Sequence, residues 1–510
     1  MSHARERHAR HYLAWAETHS GDWTWFDAEW PQIRQAWEWM GSTQGQDHQA
    51  LRFLWTVHLF LSARGLWRDY LSWLERGLSI VRTSGDRQAE GTLLHNLAWC
   101  HLSLGATRNA LDLYHQALAV RRETMDRRGE ALTLTGIGQV HYGLGEPRQA
   151  LDYYLKALSI QSEEGDRFGQ ATTLNDLGLV HDRLGDRSPA LANYQQALAL
   201  FRDLAHVKGQ GAVLVNIGLA YANLGDWGHA LEHYHQALTA LQQSGDRAGE
   251  AAALRAVGTV HYTLGRRREA LDRYEEALSI QREIGDLPGQ ATTLNNMGAV
   301  HHYLGDPRQA LEYYESAVAI QREVGERAEK ATTLNNAAGA HYALGEPERA
   351  RQIYEEVLHL RRGVQDRSGE AITLSNLGEV HRVLGNTHAA LSHFQQALPI
   401  QEEVGDRSGA ATTLNNIASV LCQSGDWSRA LELFERALAI FREVGDRESE
   451  RVTMFNMAKV QEAGGDLGQA VDSLEQVVAI DESIQSTDLA LDRAALEAVR
   501  RRLLRLGVLD

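Results

Sequence analysis

The chain has 510 residues, a formal net charge of −16, 43% hydrophobic residues, seven prolines and two cysteines. Such an acidic excess repels a phosphate backbone, so nucleic acid is not expected as a direct partner; it suits a long exposed surface that must stay soluble. Cys100 and Cys422 lie too far apart for a local disulfide framework, and no apolar run is long enough to cross a membrane.

Residues 1–47 stand apart, because ten of the twelve tryptophans fall before residue 100. The opening MSHARERHARHYLAWAE is amphipathic and lacks the apolar core and cleavage site of a secretory signal, so a cytoplasmic setting is expected. Helices are predicted over about Glu6–Thr18 and Thr24–Met40, split by Ser20-Gly21-Asp22, with a polar linker over Ser42–Asp47. Residues 48–86 already follow the register of what comes next. Gly65 marks a turn and Leu71 an apolar slot, but Tyr70 and Gly77 stand where later units carry alanine. This reads as a degenerate repeat, with 1–47 as a tryptophan-rich cap on the end of a stack. The alternative is that these aromatics dock against a further domain.

From 87 to 486 the chain repeats one unit every forty residues, ten times without insertion. Ala291–Arg322, ATTLNNMGAVHHYLGDPRQALEYYESAVAIQR, shows its logic. Leu294, Met297, Gly298, His301 and Leu304 recur at helical spacing and mark one buried face. Gly305 ends that helix in the left-handed conformation; Asp306 and Pro307 start the next. Ala310, Leu311, Tyr314, Ala317 and Val318 form the second apolar stripe. Glycine recurs at 105 and every fortieth residue to 465, and alanine from 110 to 470 in the same way. Pro399, inside a second helix where sister units carry Ala319 or Ala439, is expected to kink it. A fixed period of this size marks a helical solenoid. Residues 487–510 read as a capping helix, about Leu489–Leu506, whose arginines crowd the end that favours cations.

The leucine, glycine, aromatic, alanine, tyrosine and alanine slots, filled here by Leu294, Gly298, His301, Ala310, Tyr314 and Ala317, resemble the tetratricopeptide repeat in an extended, forty-residue form. Such units are similar to those of kinesin light chains and Leu-Gly-Asn-repeat adaptors. RHARHYLAWAE, WPQIRQAWEWM and ALRFLWTVHLFLSARGLWRDYLSWLERGLSI also resemble the junction between ATPase and repeat sensor in bacterial signal-transduction ATPases of the AfsR- and MalT-like kind. No GxxxxGK[ST] phosphate loop is present, so the ATPase itself is not here. The resemblance implies an all-α, right-handed superhelix of about twelve helical pairs plus a terminal helix, with first helices lining a concave groove. It implies a non-enzymatic scaffold or sensor arm of a bacterial signalling system that binds an extended protein or peptide segment. A partner ATPase acting in trans is one form of this, and a small-molecule sensor regulating such an ATPase is the alternative.

Two ladders carry the candidate chemistry. His101, His141, His181, His261, His301, His341 and His381 recur once per unit, too far apart to converge on one metal ion, so packing is the expected role and no metal or cofactor is expected. Asn96, Asn216, Asn296, Asn336, Asn376, Asn416 and Asn456 share another slot with Asp176, and Asn175, Asn295, Asn335 and Asn415 precede it. Helix propensity does not explain such a row. An amide can donate and accept, so the row either clamps a peptide main chain or bonds one repeat to the next. Similar asparagines in related adaptors hold peptide backbone, which adds weight to the first role and leaves the two evenly balanced. Specificity would come from residues that vary on the same helices: Tyr142, Arg183, Arg255, Tyr262, Tyr303, Tyr342 and Arg382, with Asp182, Asn223, His302, Glu379 and Lys459 beside them. The repeated Asp-Arg spacers predict caps and inter-unit ion pairs rather than catalysis, because catalytic constellations are single-copy and these clusters recur.

Overall fold

The computed structural model describes residues 2–42, 46–325 and 327–505. The middle of the linker expected over Ser42–Asp47, Glu326 of one spacer, and Leu506 lie outside them. Among the described residues there are 25 helices and no strand. The chain divides into two compact units, 1–253 and 254–510. The first holds α1 (Ser2–Thr18), α2 (Trp23–Ser42), α3 (Asp47–Ala63), α4 (Trp67–Ser84), α5 (Arg87–Ser103), α6 (Thr107–Glu123), α7 (Arg127–Gly143), α8 (Pro147–Glu163), α9 (Arg167–Leu184), α10 (Arg187–Asp203), α11 (Val207–Asn223) and α12 (Trp227–Ser244). Helix α13 (Arg247–Thr263) runs across the division. The second unit continues with α14 (Arg267–Ile284), α15 (Leu287–Tyr303), α16 (Pro307–Val324), α17 (Arg327–Ala343), α18 (Pro347–Gly363), α19 (Arg367–Val383), α20 (Thr387–Val404), α21 (Arg407–Gln423), α22 (Trp427–Val444), α23 (Arg447–Gly464), α24 (Leu467–Ile484) and α25 (Leu489–Arg505).

Each repeat is a helical hairpin whose ends are written in the sequence. The turn glycines adopt positive φ, as at Gly305 (82°) and Gly465 (89°). Asp306 accepts from the Gln309 amide at 3.1 Å, and Asp286 from the Gly289 amide at 3.0 Å, so acids cap both kinds of helix. Packing within the hairpin turns on a ring over a glycine. A Cβ at Gly298 would sit 2.6 Å from the Tyr314 ring, and one at Gly178 2.3 Å from Tyr194. In these repeats the buried tyrosine occupies space that a missing side chain leaves free, while Ala98, Ala338, Ala418 and Ala458 fill the same slot elsewhere. Pro399 lies inside α20, which nonetheless continues to Val404. Leu304 corrects the sequence reading: it caps the turn and is 55% exposed rather than facing the core.

Many neighbouring hairpins are joined by buried polar groups that interrupt the apolar stripe of the second helix, whereas α10, α12 and α22 carry Phe201, Leu241 and Phe441 in that slot. Thr293 donates to Gln281 at 2.9 Å, Gln321 donates to Thr333 at 3.0 Å, and Arg121 donates to Thr133 at 2.8 Å and to the Gly129 carbonyl. Burial pushes the Arg121 guanidinium below its usual range. Outside this layer runs the ion pairing expected from the spacers. Glu130 is held by Arg122 at 2.7 Å and Arg127 at 2.9 Å, and Arg127 also reaches Glu163 at 2.7 Å. Glu370 repeats the pattern with Arg362 and Arg367.

At the N-terminal end Trp73 is buried, stacked on Trp37 at 4.2 Å with Trp30 and Phe53 beside it, while Trp15, Trp23 and Leu59 remain exposed. At the C-terminal end Leu496, Val499 and Leu503 of α25 pack on Leu467, Val471 and Leu474 of α24. Its arginines are tied down: Arg500 bonds Glu475 at 2.6 Å, and Arg502 bonds Glu462.

Candidate functional site

Successive first helices touch one another (α7 with α9, α9 with α11, α15 with α17, α17 with α19, α19 with α21), so the asparagine slots of neighbouring repeats meet. Asn216 Nδ2 donates to Asn175 Oδ1 at 2.8 Å in the first unit. In the second, Asn336 donates to Asn295 at 3.0 Å and Asn376 to Asn335 at 3.3 Å. Asn415 accepts from Thr453 at 3.2 Å, and Asn296 bonds the Tyr274 hydroxyl. Asn416 and Asn456 occupy the same register. All of these side chains are partly buried rather than sealed.

The variable residues gather into three clusters. In the first unit the Arg183 guanidinium lies 5.0 Å from the centre of the Tyr142 ring and donates to the Tyr142 carbonyl at 2.9 Å. In the second, Tyr262 and Tyr303 meet edge to face at 6.2 Å, and Arg267 lies over both rings, at 4.7 and 4.0 Å. Tyr342 donates to Glu379 at 3.1 Å, and Arg382 closes on the same carboxylate at 2.6 and 2.7 Å. Arg255 is the member left unmatched: its Nε is buried with no hydrogen-bond partner.

Sequence reasoning named both tyrosines of the second cluster but missed Arg267, whose signal was its place in the Arg266–Arg268 run where five sister units, Glu146-Pro147 and Asp226-Trp227 among them, carry an acid and a proline or tryptophan. It placed Asp176 in the amide row without its chemistry. Asp176 accepts from Gln139 and Asn175, one of its oxygens is buried without a partner, and burial pushes its carboxyl up to about 6. Asp182 is likewise raised by burial and accepts from Tyr194 at 2.9 Å.

The histidine ladder packs against the second helices. His141 stacks on Tyr153 at 5.3 Å and bonds Glu146 at 2.6 Å; His301 stacks on Tyr313 and His381 on His393. Among the described residues no group of three or more His, Cys, Asp or Glu side chains is arranged to hold a metal ion, and no helix is long and apolar enough to cross a membrane.

Comparison with known proteins agrees with the geometry. Family models described as "Tetratricopeptide repeat" match residues 93–128, 129–203, 210–283, 289–363, 331–403, 369–443 and 409–483. Among solved structures, BtubC (BKLC) from P. vanneervenii is 23% identical, with 43% of this chain and 92% of that one covered and a TM-score of 0.40. A putative kinesin light chain from Podosopora anserina with nearly identical TPR-like repeats is 21% identical, covering 39% and 99%, with a TM-score of 0.34. Aspartyl phosphate phosphatase F from Bacillus subtilis is 16% identical, covering 71% and 94%, with a TM-score of 0.46. No curated protein matches the sequence. Repeats of this kind generally serve as non-catalytic protein-interaction scaffolds. With its hairpins, its register and well over half its length matched, the chain belongs to the tetratricopeptide repeat family.

Proposed function

We propose that this chain is a non-enzymatic scaffold or sensor arm of a bacterial signalling system, holding an extended peptide or protein segment along its first helices. The observation that supports this is the amide row. Each inter-repeat bond uses one donor of one asparagine and one acceptor of the next; the opposite polar atoms of the pair suit a peptide main chain. The Tyr–Arg and Tyr–Glu–Arg clusters beside the row differ from repeat to repeat, which gives side-chain selectivity to a main-chain clamp. A signalling ATPase supplying that segment in trans is one partner compatible with this reading.

The test is peptide-display selection against the whole chain, followed by binding of the selected peptides to a variant with Asn295, Asn296, Asn335 and Asn336 changed to alanine. Circular dichroism checks that the variant is folded. Each lost hydrogen bond is worth about 0.5–1.5 kcal/mol, so the variant should bind about tenfold or more weakly. Selected peptides that bind the folded variant unchanged would make the row purely structural. Selection of no peptide, together with saturable binding of a small metabolite at one pocket, would favour the small-molecule sensor instead.

A further inference from the structure

We infer, on the strength of the groove reading above, that the face formed by α13, the start of α14 and the end of α15 takes an acidic segment of the partner. The repeat register shows why these residues are anomalous. Arg255 stands where sister units carry Asn175, Asn295, Asn335 and Asn415. Its Nε is buried without a partner, and it lies near the Tyr274 hydroxyl, whose ionisation burial disfavours overall despite the arginine. Arg266 stands where Asp226, Asp306, Asp426 and Asp466 cap their helices by accepting from the amides of His229, Gln309, Arg429 and Gln469. At α14 that cap bond is missing, as it is at α6, α8, α10, α18 and α20; what sets α14 apart among the ten repeats is a cationic cap residue, with Arg266, Arg267 and Arg268 at the end of a helix that already carries partial positive charge.

Relative to Asp226, Asp306, Asp426 and Asp466, Arg266 gives up a cap bond, and Arg255 leaves a buried donor unpaired. Among the described residues the guanidinium groups of Arg255, Arg266 and Arg268 have no ion pair and no hydrogen bond. In a chain of net charge −16, this is a cationic stripe awaiting negative charge. Aromatic groups border it. Arg267 is held by Tyr262 and Tyr303, and Tyr303 is 68% exposed; His302 Nδ1 next to it is buried without a partner. From Arg255 to the end of α13 at Thr263 the stripe runs about 12 Å along the helix, at a rise of about 1.5 Å per residue, and Arg266 lies beyond that end. That length exceeds one small oxyanion and fits several carboxylates spaced along a segment. Guanidinium groups suit such a ligand because each can grip a carboxylate with two parallel hydrogen bonds.

The test uses the whole chain and a double variant that returns this repeat to the pattern of its sisters, Arg255→Asn with Arg266→Asp. The probes are fluorescent oligoglutamate, oligolysine and Gly-Ser peptides of equal length, with inorganic phosphate as competitor. Wild type should bind oligoglutamate in preference to the other two, with affinity that falls as salt rises. The double variant should lose about tenfold or more of that affinity while melting at the same or a higher temperature, since it regains a cap. Equal affinity of wild type and variant for oligoglutamate would overturn the assignment, as would no preference over the Gly-Ser peptide. Displacement by inorganic phosphate at concentrations equal to the peptide's would overturn it in favour of a small-anion site. If display-selected peptides bind through the asparagine row but carry no acidic stretch, this assignment fails and the groove reading stands.

Discussion

Asp176 shows how one atom changes the behaviour of a slot. Seven sister units place asparagine there, and the amide suits a partly buried position between repeats. With its pKa raised to about 6, the carboxyl stays favourable only while protonated, so its ionised form costs stability as pH rises through that value. Asp176→Asn should therefore raise stability at pH 7.5 by about 1–3 kcal/mol, and the gain should vanish near pH 4; denaturation at both pH values measures it. His95 has the opposite sign. Burial and the neighbouring Arg121 push it down to about 3, so the unfolded chain takes up its proton first as pH falls below about 6.5. His95→Asn, the residue used by other repeats in this slot, should remove about 1–2 kcal/mol of the stability lost between pH 7 and pH 5. The sequence made the amide row visible because its spacing is fixed. The bonds themselves join residues forty-one apart, so their existence depended on how closely first helices approach, which spacing alone does not contain.

Helix by helix, legibility follows from punctuation. Glycine, acid and proline fixed the turns, and an apolar stripe at helical spacing fixed each face, so the hairpins were readable in advance. What failed was the reading of Leu304, because the last apolar residue of a helix can as well cover a turn as enter the core. The buried Gln and Arg of the second helices were hidden for a related reason: a polar residue in an apolar stripe reads as an exception until its partner, such as Thr293 or the Gly129 carbonyl, is in place. The turns between repeats carry a test of the same logic. Most use glycine at positive φ, but Met125, Ala205 and Gln365 hold φ of 54°, 50° and 57° in that slot. A left-handed conformation costs an ordinary residue about 1–2 kcal/mol, part of which glycine returns as lost chain entropy. Replacing each with glycine should raise stability by about 0.5–1 kcal/mol, read as a higher denaturation midpoint.

For the molecule as a whole, stability is passed from neighbour to neighbour, since each hairpin buries its faces mainly against the next. The ends are then the weak points, and both are covered. Removal of 487–510 would expose Leu467, Val471 and Leu474 and free Arg451 from Asp488 and Asp492. Hydrogen exchange should then rise first in α23 and α24 and leave α15–α19 unchanged; uniform loss of protection would mean that the second unit unfolds as one body. The fold was legible from the repeat alone, whereas the inference about the partner's chemistry rests on positions where units break the pattern, as at Arg255 and Arg266.

The most direct measurement is hydrogen exchange of the whole chain with and without a display-selected peptide. The expected footprint is slowed exchange spread along the first helices of successive repeats, α15, α17 and α19 among them, with the second helices unchanged. Protection confined to one turn of one helix, or lying on the second helices, would contradict a scaffold that holds an extended segment along its asparagine row.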